Sequence, residues 1–109
     1  MATTYKTLGQ AAPAATTSTD LYTVPALTST IVSSVVITNR AATPATFRLS
    51  QSLVGAALAN KDYLAYDTAI PANGFVTLTL GITMATTDKL RVYASTANLS
   101  FNAFGTELS

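Results

Sequence analysis

Between residues 45 and 51 the side chains alternate without a break: Phe47 and Leu49 are flanked by Thr46, Arg48 and Ser50. A period of two puts the two sets on opposite faces of a pleated strand, so this segment predicts a strand with one buried face. The same period recurs along most of the chain. Residues 89–95 set Leu90, Val92 and Ala94 against Lys89, Arg91 and Tyr93, and residues 99–107 set Leu99, Phe101 and Ala103 against Ser100, Asn102 and Phe104. Residues 75–80 place Val76, Leu78 and Leu80 on one side and Phe75, Thr77 and Thr79 on the other. Residues 61–69 set Tyr63 and Ala65 against Leu64 and Tyr66. Residues 4–10 and 19–24 complete the shorter strands. Residues 30–39, with Ile31, Val32, Val35, Val36 and Ile37, are the most apolar and predict a central strand.

Turn chemistry separates these segments. Pro13, Pro25 and Pro44 cannot donate to a central ladder, and residues 71–74 (Pro-Ala-Asn-Gly) suit a positive φ. Gly81 ends the sixth strand, and residues 85–88 form the next turn. Residues 52–60 have some helical character, but Gly55 weakens it, and the segment reads as a loop with one helical turn. Eight short strands at roughly ten-residue spacing predict an all-β, single-domain antiparallel β-sandwich, jelly-roll or Greek-key-like, over residues 1–109. Residues 1–13, rich in Ala and Thr up to Pro13, read equally as an assembly arm adding to a neighbour's sheet or as an ordinary first strand.

Composition sharpens this picture. Charged residues are 10% of the 109, six basic against five acidic, for a net charge of +1. No field steers such a chain to nucleic acid. Mean hydropathy is +0.36, yet no apolar run nears the ~18 residues that span a bilayer, so neither nucleic acid nor membrane is expected as a partner. The first residues lack the order of a signal peptide, so synthesis in a cytoplasm is expected. A surface so poor in charge favours association.

Histidine and cysteine are both absent, which removes the commonest general base, the commonest nucleophile pairs and ordinary zinc ligands. Among the carboxylates, Asp20, Asp62, Asp88 and Glu107 read as solvated charges, and no acidic run with glycine suggests calcium. The glycines are too dispersed for a phosphate loop. No catalytic, metal or cofactor site is expected. Asp67 stands among apolar residues, and alternation puts it on the face of Tyr63; a charge there calls for a partner, Arg48 or Arg91. The five tyrosines, Tyr5, Tyr22, Tyr63, Tyr66 and Tyr93, suit either a sugar-stacking platform or a subunit interface, and the interface fits better. The candidate interface or buried polar-pairing residues are therefore Tyr5, Arg40, Arg48, Tyr63, Tyr66, Asp67, Arg91 and Tyr93.

From residues 1–10 (MATTYKTLGQ) through residues 21–25 (LYTVP), 36–40 (VITNR), 45–48 (ATFR), 63–67 (YLAYD), 78–82 (LTLGI) and 92–96 (VYAST) to residues 99–105 (LSFNAFG), the chain resembles a family of short virion structural proteins of tailed bacteriophages. The resemblance runs almost end to end and carries no catalytic motif. It implies a β-sandwich, non-enzymatic component of the virion. Of the places in a particle, a capsid decoration or cement protein on the head shell comes first. A tail, neck or baseplate/fibre-attachment protein is the alternative, and a host-glycan-binding tip the third. The implied partners are copies of itself, in a trimer or other cyclic homo-oligomer, and the major capsid protein or tail and baseplate proteins.

Overall fold

The computed structural model describes residues 2–109. It contains nine strands: β1 (Thr3–Ala11), β2 (Thr19–Thr23), β3 (Ser29–Asn39), β4 (Ala45–Ser52), β5 (Tyr63–Ile70), β6 (Phe75–Leu78), β7 (Ile82–Met84), β8 (Lys89–Ala94) and β9 (Leu99–Leu108). One sheet has the order β1-β9-β3-β6, with β7 beside β6 on the same side of β3; the other has the order β2-β8-β4-β5. All pairings are antiparallel.

The topology is one long hairpin rolled up. β4 pairs with its successor β5, β3 with β6 and β7, β2 with β8, and β1 with β9. Rolling those nested pairs into two facing sheets gives the jelly roll, one of the two arrangements expected from the strand pattern. The core lies between the sheets, where alternate residues of each strand interdigitate. Val32, Val35, Ile37, Phe101 and Ala103 from one sheet meet Phe47, Leu49, Leu90 and Val92 from the other, all at most 1% exposed. Phe47 and Phe101 touch edge to face across the sheets at 6.3 Å between ring centres. Each such ring contributes about 1.5–3 kcal/mol through burial.

Several expectations are corrected. There are nine strands rather than eight, because the sixth predicted strand breaks. It ends at Leu78, Leu80 is exposed, and Gly81 takes φ 63. The chain then returns to β3 as β7, with Ile82 and Met84 on the core face. Three residues are too few for periodicity to reveal. In β3 a bulge between Val32 and Ser34 resets the alternation, so Ile31 points outward while Val32 and Val35 both point in. In β5, two register irregularities against β4 give it two extra residues. Tyr63 pairs with Ser50 but Ala65 with Leu49, so Tyr63 and Ala65 do not share a face. The loop over residues 52–60 holds one 3-10 turn, Leu53–Gly55, as expected, and a second, Asn60–Asp62, leads into β5. Of the two readings for residues 1–13, residues 3–11 take the place of a first strand, paired with β9.

Two glycines allow main chains to touch. A Cβ on Gly9 would sit 2.1 Å from the carbonyl oxygen of Leu21, where the end of β1 crosses toward β2. A Cβ on Gly105 would sit 2.1 Å from that of Ile31, beside the β3 bulge. Any larger residue must move backbone at these points.

Candidate functional site

The outer faces of the two sheets differ in chemistry. On the β2-β8-β4-β5 sheet, β4 projects Arg48 between Tyr66 of β5 and Tyr93 of β8. Its guanidinium carbon lies 4.2 Å from the Tyr66 ring centre and 4.3 Å from that of Tyr93. The register sets Arg48 opposite Tyr93, and a β5 irregularity delivers Tyr66 and Asp67 together opposite Arg48. Asp67 adopts φ 47 there, a left-handed conformation that aspartate tolerates better than most residues. Its carboxylate accepts two bonds from Arg48, from Nε at 2.7 Å and Nη2 at 3.3 Å. That hydrogen bond, more than any charge nearby, raises the Arg48 pKa further above its ordinary value. Tyr63 meets Tyr66 edge to face at 4.8 Å.

Five of the eight residues singled out by sequence therefore form one cluster: Arg48, Tyr63, Tyr66, Asp67 and Tyr93. Of the two arginines expected near Asp67, Arg48 is the partner. Arg91 belongs to a neighbouring group. It donates through Nε to Asp20 at 3.0 Å and through Nη1 to the carbonyl of Ala56 at 2.7 Å, which ties the loop after β4 to the sheet. Lys89 also reaches Asp20, at 2.8 Å, and this bond is the main cause that lowers the Asp20 pKa. Arg40 lies in the turn after β3, donating to Ala97. Tyr5 stands on the opposite sheet, 82% exposed.

Three carboxylates read as solvated charges are structural acceptors instead. Asp88 is 4% exposed and accepts the N–H groups of Val54 and Ala85. Asp62 accepts from the N–H of Ala59, the largest reason its pKa is lowered, and from Lys61 and Ser52. Glu107 accepts from the hydroxyl of Tyr22, which also bonds Thr30, and pairs with Lys6 at 3.3 Å. Desolvation, followed by the bond to Glu107, pushes the Tyr22 phenol up to about 12. Tyr22 is thus a buried polar residue, not part of an aromatic platform.

The outer face of the five-stranded sheet carries no charge among the described residues. Its outward positions follow from the register of β1, β9, β3, β6 and β7. They hold Tyr5, Ile31, Val36, Phe75, Phe104 and Leu108 among Thr, Ser, Asn and Gln. The two charges on these strands, Lys6 and Glu107, turn to the inner rim and pair there. At one end of the sandwich, two of three joined loops add apolar tips. Leu27 is 91% exposed and Val54 75%, and both are held in left-handed backbone (φ 55 and 56). The loops are joined by Asp88 to Val54 and by reciprocal bonds between Thr28 and Thr86. Left-handed backbone is costly for leucine and more so for β-branched valine, and strain of this kind concentrates at functional positions.

Among the described residues there is no pocket and no group of three potential metal ligands, and no helix is long and apolar enough to cross a membrane. No protein-family model matches the chain, and a search of curated proteins returned no match.

Proposed function

We propose that this chain is a non-enzymatic structural component of a tailed-bacteriophage virion, a decoration or cement protein that binds the head shell and stabilises it. The observation that carries the reading is the charge-free outer face of the five-stranded sheet, with exposed Tyr5, Ile31, Phe75 and Phe104. A face of this kind binds by shape and apolar contact. Repeated at symmetry-related sites, modest contacts sum to stable attachment. Attachment through uncharged surface also depends little on ionic strength. The end-to-end resemblance to short phage virion proteins supports the same reading. The aromatic cluster on the other sheet fits a brace better than a sugar platform, since Arg48 covers one face of both Tyr66 and Tyr93.

The test is position and copy number in intact particles, by quantitative mass spectrometry of purified heads and tails. Hundreds of copies per particle, in fixed ratio to the major capsid protein, are expected. Recovery only in tails, at about three to twelve copies as closed rings would give, overturns the head-shell assignment.

A further inference from the structure

The sheets have four free edges, and the pairing is broken somewhere along each of them. β2 has five residues with a register break between Asp20 and Tyr22. β5 is irregular at two places, with Asp67 left-handed. The β6–β7 edge is split around Gly81. β1 differs. Its pairing with β9 is regular from Thr3 to Thr7, all five residues are exposed, and the segment contains no proline. Its only charge, Lys6, is drawn to the inner rim by Glu107. Natural edges are usually blunted by bulges, proline or outward charge, and an unblunted one is a template for another strand.

The hydrogen-bond phase of this edge is fixed. Ala2 and Ser109 exchange both backbone bonds, N–H to C=O in each direction, at 2.7 and 2.9 Å. In an antiparallel pair such reciprocal bonding recurs at every second residue. Ala2, Thr4 and Lys6 therefore bond β9, while Thr3, Tyr5 and Thr7 turn their N–H and C=O groups to the open side.

We infer that this edge pairs with the same edge of a second copy, antiparallel, about a two-fold axis at Tyr5. In that register Tyr5 faces Tyr5 of the other copy and Thr3 faces Thr7, so each outward N–H meets an outward C=O. Six main-chain hydrogen bonds form with none left over. A shift by one residue would set bonded against unbonded groups. Side chains agree with the register. Thr–Thr and aromatic pairs stabilise antiparallel neighbours, and Lys6 faces Thr4 rather than another lysine. The two sheets fuse into one, and the two charge-free outer faces become a single continuous surface. The pairing needs no virion component, so it stands or falls separately from the proposed function.

The test uses sedimentation equilibrium of the purified full chain. The wild type is expected to dimerise. Tyr5→Pro removes an outward donor while leaving the β1–β9 bonds intact, since proline is tolerated where the N–H faces solvent. It should raise the dimer Kd at least about tenfold with an unchanged urea midpoint. Tyr5→Glu and Tyr5→Lys serve if the proline variant folds poorly, because Tyr5 is exposed. Each charge variant alone places like charges on the axis and should be monomeric, and mixing the two should restore a heterodimer. A wild type that stays monomeric to about 1 mM, charge variants that dimerise like the wild type, or a mixture that stays monomeric would each overturn the inference.

Discussion

Tyr22 offers the sharpest test of the packing at the rim of the core. It is 8% exposed, bonds Thr30 at 2.8 Å and donates to the Glu107 carboxylate. Tyr22→Phe keeps the ring and deletes the hydroxyl. A hydrogen bond to a charged group contributes about 1.5–3 kcal/mol, and Glu107 keeps Lys6, so the expected loss at pH 8 is about 2 kcal/mol. The pH dependence is more diagnostic. The folded-state phenol titrates at about 12 against an ordinary 10.0. Over that window the folded chain holds its proton while the unfolded chain releases it, so stability present below pH 10 is lost as pH rises toward 12. By pH 11 the wild type has lost about 1.4 kcal/mol through this one group, and Tyr22→Phe loses nothing through it. Other tyrosines and lysines titrate in both proteins and cancel in the difference. Urea unfolding followed by far-ultraviolet circular dichroism at pH 8, 10 and 11 measures the gap between the two. It should shrink from about 2 toward about 0.6 kcal/mol. A gap that stays constant to pH 11 refutes the coupling of Tyr22 to Glu107.

Other substitutions probe the rest of the frame. Gly105→Ala forces a Cβ into the Ile31 carbonyl and should cost at least about 2 kcal/mol in urea unfolding; Gly9→Ala, against Leu21, should behave alike. Val54→Gly relieves a left-handed valine, so it should leave stability unchanged or raise it by up to about 1 kcal/mol in urea unfolding. The Asp62 carboxyl has a lowered pKa, chiefly from the Ala59 N–H. Its contribution is therefore present above the ordinary carboxylate pKa of about 4 and is lost as pH falls below it. Asp62→Asn should flatten the acid limb of a thermal-melt profile between about pH 5 and 2. Arg48→Gln and Asp67→Asn should each lower the melting temperature slightly, and the double variant by less than the sum, as measured by calorimetry.

Periodicity located every long strand because each has one wet face and one dry face, and the core residues of β4, β8 and β9 fall where strict alternation puts them. It failed where the backbone inserts a residue. Nothing in the local sequence of Val32, Ser33 and Ser34 distinguishes a bulge from a continuous strand, and Tyr63 to Thr68 reads as plain alternation. The bulge at Tyr66 and Asp67 is nonetheless what brings Tyr66 to Arg48. The pairing of Asp67 with arginine was legible because an aspartate in an apolar strand needs a counter-charge; the choice between Arg48 and Arg91 depended on strand order. The burial of Asp62 and Asp88 and the pairing of Glu107 were not legible. Each is an acceptor for groups far away in sequence or in an irregular turn, such as Val54 for Asp88 and Tyr22 for Glu107.

The nested topology bears on when an assembling edge becomes available. β1 is held by β9, so its partner lies almost a full chain length away, and Ala2 bonds Ser109 at the far limit of the pair. Closing that pair first requires β3 to take its place beside β9, and so requires most of the roll. Contacts of such separation form late, after the loop-closure entropy has been met by inner pairs such as β4–β5. Until then β1 has no fixed hydrogen-bond phase: Thr3, Tyr5 and Thr7 turn outward together only when Thr4 and Lys6 are bonded to β9. An incompletely folded chain thus lacks the self-complementary edge, and pairing is confined to finished copies. Loosening the β1–β9 closure without touching the edge should therefore weaken dimerisation in step with stability. Gly105→Ala, which strains β9 from the β3 side, is the variant that separates this from a β1 that pairs on its own: dimerisation must fall as the folded fraction falls, and a β1 that still dimerised in the unfolded variant would contradict the coupling.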